Sequence, residues 1–132
     1  MIAAISSASL QQKTAINYWD SLQTANPKVV FILIPAMDIT VNIDTSQKIS
    51  LIQPKSAKVT LTNWVNVKKD KGSQQYPLLQ WLTHLSQNGH FDSDVSSDNQ
   101  IYVINEAGVL YAVLENGVSA KVLDDVIKQP LQ

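Results

Sequence analysis

The chain has 132 residues, a net charge of −1, 45% apolar and 16% charged residues, and no cysteine. That length is one domain able to bury a core without metal or disulfide staples. The missing thiol excludes disulfides, thiolate metal sites and cysteine nucleophiles. All ten basic residues are lysine, so the bidentate guanidinium preferred for carboxylate, phosphate and guanine edges is absent.

In chain order, Ile5, Ala8, Ala15, Trp19 and Leu22 recur near one face at helical spacing, which predicts a helix over 5–25, ended by Asn26-Pro27. The run VVFILI at 29–34 is short, β-branched and closed by Pro35, as a buried strand should be. Three alternating stretches follow, at 38–43, from Ile49 to Pro54, and at 57–67. They predict an antiparallel meander with one wet face.

A polar loop, 68–75, leads to Pro77 at the first position of a helix over 77–88, with Gly89 as its stop. A polar acidic loop follows at 90–100. Strands 101–104 and 109–114 then flank Asn105-Glu106-Ala107-Gly108, a hairpin whose glycine suits the left-handed position after a type I turn. After the Asn116-Gly117 turn, Ser119 caps a last helix over 120–129. The expected class is α+β, one domain over 1–132. Its mainly antiparallel sheet, a meander plus a C-terminal hairpin, packs with three helices in the order α-β-β-β-β-α-β-β-α.

Charge is segregated along the chain. Residues 55–71 hold Lys55, Lys58, Lys68, Lys69 and Lys71 against Asp70, a net of +4. Residues 92–125 hold Asp92, Asp94, Asp98, Glu106, Glu115, Asp124 and Asp125 against Lys121, a net of −6. This pattern predicts association with a charged partner. The seven acids form the expected docking face for a protein with a basic surface. The five lysines are the candidate anion-binding patch, with Trp64 beside them for nucleic-acid stacking.

Catalytic and cofactor motifs are missing. The four glycines, at 72, 89, 108 and 117, allow no phosphate-cradling loop, and no GxSxG is present. His84 and His90 stand six apart, off the i, i+4 spacing of a helical metal pair. Asp92, Asp94 and Asp98 have the alternation of a weak calcium loop, but Ser97 and Val103 replace its turn glycine and bidentate glutamate. A solvated acidic loop is the simpler account. No cofactor and no metal are expected.

No apolar run is long enough to span a membrane, and MIAAISSASL lacks the basic start of a signal peptide. Compartment and oligomeric state are left open. By elimination, the sequence predicts a non-enzymatic interaction domain: an adaptor, assembly subunit or immunity-type protein. The alternatives are a winged-helix-like nucleic-acid module, with hairpin 101–114 as its wing, and a small-molecule enzyme of unrecognised type.

Overall fold

A computed structural model describes residues 1–7, 13–38, 53–96, 100–114 and 125–126. Five strands form one sheet in the order β3-β2-β1-β4-β5. They are β1 (Ile2–Ser7), β2 (Val30–Pro35), β3 (Val59–Leu61), β4 (Gln100–Ile104) and β5 (Leu110–Leu114). The helices are α1 (Lys13–Ala25), α2 (Pro77–Thr83) and α3 (Leu85–Asn88), with a 3-10 turn at Lys69–Gln74.

The α+β character stands, but the sheet is mixed rather than mainly antiparallel. β1 pairs in parallel with β2, in register from Ile2↔Val30 to Ser7↔Pro35, and β2 pairs in parallel with β3. β4 runs antiparallel to β1, with Ser6 opposite Gln100, and β5 runs antiparallel to β4. Parallel neighbours need a crossover, which α1 provides between β1 and β2.

The chain's start is therefore a strand, not the first turns of a helix. Ala3, Ala4 and Ile5 are completely buried, as are Ser6 and Ser7. A strand covered on both faces has no alternation, and a short apolar run cannot be separated from a helical stripe by period alone. Helix α1 begins only at Lys13 and packs Ile16 and Trp19 inward. The expected strands at 38–43 and from Ile49 lie almost wholly outside the described residues. Of 57–67 only Val59–Leu61 is regular strand; Val65 and Asn66 make isolated bridges to Ala36 and Gln75.

Two apolar layers cover the sheet. On one face Ala3, Ile5, Phe31, Leu33, Ile101 and Val103 meet Ile16 and Trp19 of α1. On the other, Ala4, Ile34, Tyr102 and Ile104 meet Val67, Val95, and Leu79 and Leu82 of α2.

Turn chemistry follows the sequence closely. Gly89 closes α3 at φ 80° and Gly108 sits at φ 79° in the β4–β5 turn. There the Asn105 side-chain oxygen accepts the amides of Ala107 and Val109. Pro77 starts α2 as expected.

The 77–88 helix breaks at His84, whose backbone is extended. Side chains take carbonyls that a continuous helix would use: Thr83 Oγ donates to Leu79, His84 Nδ1 to Gln80, and Asn88 Nδ2 to Trp81. Of the last predicted helix, residues 125–126 are helical and the remainder lies outside the described residues. Tyr111 donates its hydroxyl to the Val126 carbonyl at 2.6 Å, fastening that segment to β5.

Phe31 is fully buried on β2, with its ring centroid 5.9 Å from that of Trp19. Phe31→Ala leaves a cavity between sheet and α1, for which a loss of about 3–5 kcal/mol in unfolding free energy is expected. Urea denaturation of both proteins checks this.

Candidate functional site

In open sheets with parallel strands, ligands sit beyond the carboxyl ends of the strands, where strand order changes direction. Here that point lies at β1, between parallel β2 and antiparallel β4. Ser6 and Ser7 end β1, Pro35 and Ala36 end β2, and Gln100 begins β4 beside them.

Ser6, Gln100 and Tyr102 share the sheet face covered by α2, since Ser6 pairs with Gln100 and Ala4 with Tyr102. Gln100 is almost fully buried and uses both ends of its amide. Its Nε2 donates to the Asp94 carbonyl and the Tyr102 hydroxyl, each at 2.9 Å. Its Oε1 accepts the Ser96 amide at 2.9 Å and the Ser96 hydroxyl at 3.1 Å. The Tyr102 hydroxyl donates a hydrogen bond to the Ser93 carbonyl at 3.0 Å. Burial pushes the Tyr102 phenol well above its ordinary range, so it stays neutral. This network holds loop 91–96 against the strand ends.

Carboxylates anchor the segment that carries the lysines. Asp20 accepts the amides of Lys55 and Ser56 at 2.9 and 3.2 Å. Asp38 accepts those of Val67 and Lys68, both at 2.9 Å. Asp94 accepts those of Lys69 at 3.0 Å and Val95 at 2.8 Å.

The separation of charge along the sequence is thus partly undone in space. Lys69 forms an ion pair with Asp92, so the basic stretch touches the acidic loop. Lys58 donates its ammonium to the Pro27 carbonyl. Lys55 and Lys71 are exposed and Lys68 is half-buried. Among the acids, Glu106 is exposed at the β4–β5 turn and Asp125 is exposed near the end. Asp98, Glu115 and Asp124 lie outside the described residues, so the seven acids cannot be placed on one face.

Among the described residues no group of three or more histidine or acidic side chains could hold a metal ion. The calcium candidates Asp92 and Asp94 are directed at Lys69 and at backbone amides instead. His84 has its Nδ1 on the Gln80 carbonyl at 2.7 Å, and His90 is exposed. Trp64 is half-buried rather than displayed for stacking. No helix among the described residues is long and apolar enough to cross a membrane.

Sequence reasoning missed Ser6, Gln100 and Tyr102. Their only sequence signal was polar residues at the edges of apolar runs, which reads equally well as ordinary strand termini.

No family model matches this chain, and no curated protein does. Among solved structures, 27 chains match. Trgpx in its apo form is 16% identical with a TM-score of 0.59, over 99% of this chain and 83% of that one. GPX1 of T. cruzi is 12% identical with a TM-score of 0.62, over 96% of this chain and 78% of that one. Both are glutathione peroxidase structures, of thioredoxin-like fold.

The chain has a glutathione-peroxidase-like fold. This corrects the expectation of a non-enzymatic adaptor, because the scaffold is one that enzymes use. It also removes the winged-helix alternative: β4 is interior to the five-stranded sheet, so the β4–β5 hairpin is no free wing.

The Asp92 carboxyl is held below its ordinary 3.8, first by the Lys69 hydrogen bond and then by the Leu85 amide. A depressed carboxyl contributes stability above its unfolded pKa and loses it as pH falls through the folded value. Asp92→Asn and the parent are therefore expected to differ in stability above about pH 4 and to converge in more acid solution, the difference at neutral pH shrinking with salt. Thermal melts between pH 2 and 7 at two salt concentrations test this; a difference that persists at pH 2 contradicts it.

Proposed function

We propose that this chain is a small-molecule enzyme on a glutathione-peroxidase-type scaffold, working at the carboxyl ends of β1 and β2 without a cysteine thiol. The observation that carries the reading is a coincidence of fold and chemistry. A β1-α1-β2 unit of the thioredoxin-like kind is where a redox cysteine is sought, just after the first strand. This chain has Ala8-Ser9-Leu10-Gln11-Gln12 in that connection and no cysteine elsewhere.

The side chains gathered at the strand ends are hydroxyls, a phenol and an amide. The Gln100 amide and the Tyr102 phenol are committed to loop 93–96, which leaves the Ser6 hydroxyl as the group to bind and orient a neutral polar molecule. None of these groups supplies the two electrons of a thiol cycle. The thioether of Met37, just beyond β2, is no substitute, since it has no proton to lose and forms no thiolate.

Two measurements on the purified chain test the reading. Coupled turnover of hydrogen peroxide or tert-butyl hydroperoxide with glutathione should not exceed the uncatalysed rate. Amide NMR titration with each compound should shift Ser7, Ala36 and Gln100 before other positions. Glutathione-dependent turnover overturns the statement that a chain without cysteine cannot run a peroxidase cycle, and shifts confined to other surfaces overturn the site.

A second expectation concerns the frame of this site. Asp38→Ala orphans two backbone amides at once, so a loss of about 2 kcal/mol is expected. Asp38→Asn, which retains one acceptor, should lose less. Urea denaturation of the two variants measures the difference.

A further inference from the structure

We propose that Asn88-Gly89 is a covalent modification site held shut by the fold: it deamidates when α3 opens, and its product keeps α3 open. Glycine after asparagine favours this reaction, because it has no Cβ to hinder its amide nitrogen and the widest backbone freedom. The pair closes α3, with Asn88 as its last helical residue and Gly89 at φ 80°. The inference is independent of the reading of the strand ends.

The reaction needs no co-reactant but water. The Gly89 nitrogen loses its proton and bonds to Cγ of Asn88. The Cγ–Nδ2 bond breaks, and ammonia leaves with that proton. Water then opens the cyclic imide at either carbonyl, giving aspartate or isoaspartate.

In the folded protein both reacting groups are engaged. The Gly89 amide donates to the Leu85 carbonyl at 2.8 Å. Asn88 is 8% exposed, and its side chain sits among backbone groups. Its Nδ2 lies 2.8 Å from the Trp81 carbonyl, 2.9 Å from those of His84 and Phe91, and 3.4 Å from that of Leu82. Its Oδ1 accepts the amides of His90 and Phe91, each at 2.8 Å. Attack on Cγ breaks the Gly89–Leu85 bond and takes the side chain away from these partners. The rate therefore follows the fraction of chains in which this turn is open.

The same contacts make the product a misfit. A side-chain amide carries two donors, which the carbonyls share; a carboxylate carries none. With aspartate at position 88, a charged oxygen stands where Nδ2 did, facing the carbonyl oxygens of Trp81, His84 and Phe91. They repel it, and a buried charge is left without a donor there. The turn leads directly into Asp92 and Asp94, which hold Lys69. Deamidation thus turns a transient opening into a lasting one and loosens that anchor.

Fragment-ion mass spectrometry tests this on the full chain kept in mildly alkaline buffer, with and without denaturing guanidinium. Asn116-Gly117, the other such pair in the sequence, reports the rate of the unprotected dipeptide in denaturant. Position 88 is expected to convert as fast as 116 in denaturant, and at least about tenfold more slowly in native buffer. Equal rates at 88 in the two buffers overturn the protection.

Asn88→Asp places the product in the chain directly. It is expected to melt below the parent at neutral pH, with the gap narrowing in acid, where the protonated acid regains a donor. A variant that melts with the parent at neutral pH overturns the proposed effect of the product. So does a gap that is unchanged in acid, since the carboxylate charge would then not be its cause.

Discussion

The structure depends on burying β1 on both faces and both edges. Its hydrogen bonds are shared between a parallel neighbour and an antiparallel one, and its side chains alternate between two apolar layers. A strand so enclosed tolerates little bulk, which accounts for Ala3 and Ala4 at its centre. With β1 in the middle, β2 lies parallel to it after a crossover and β4 runs antiparallel on the other side. The change of direction beside β1 then places the ends of Ser6, Ser7 and Pro35 next to the start of Gln100. The candidate site is a consequence of that topology more than of any local motif.

The second constraint is electrostatic and acts on the backbone. The segment from Lys55 to Lys69 runs past the strand ends with a short strand and isolated bridges to support it. Asp20, Asp38 and Asp94 each accept one or two amides from it. Hydrogen bonds to ionised acceptors are stronger than neutral ones, and these replace ladder bonds the segment does not make. These contacts use the segment's backbone and not its lysine ammonium groups. The Lys69–Asp92 pair is an ammonium contact on the same segment. With Asp92 largely exposed, the pair is a modest contribution that salt screens.

What could be read from sequence divides along physical lines. Local chemistry was legible: Gly89 and Gly108 at positive φ, Pro77 at a helix start and the 101–114 hairpin all depend on residues a few positions apart. The strand at 29–34 was legible because six consecutive apolar, mostly β-branched residues bounded by proline have few other uses. The identity of 2–7 was not, because Ile2, Ala3, Ala4 and Ile5 suit a buried strand and a helix stripe equally. That error also hid the parallel pairing, since without β1 no crossover unit can be drawn. The charge blocks misled for the opposite reason: residues 69 and 92 are 23 positions apart, and only the tertiary fold brings the basic block and the acidic block into contact.

The buried polar residues carry the last step. Ser6, Gln75, Gln100 and Tyr102 are costly beside a mainly apolar layer, and an apolar replacement would fill the same space without unmet hydrogen bonds. Gln100 and Tyr102 have a structural justification in the loop they hold. Ser6 and the oxygen of Gln75 have none among the described residues. Stability alone would favour alanine at position 6, because the buried Ser6 hydroxyl has no partner among the described residues.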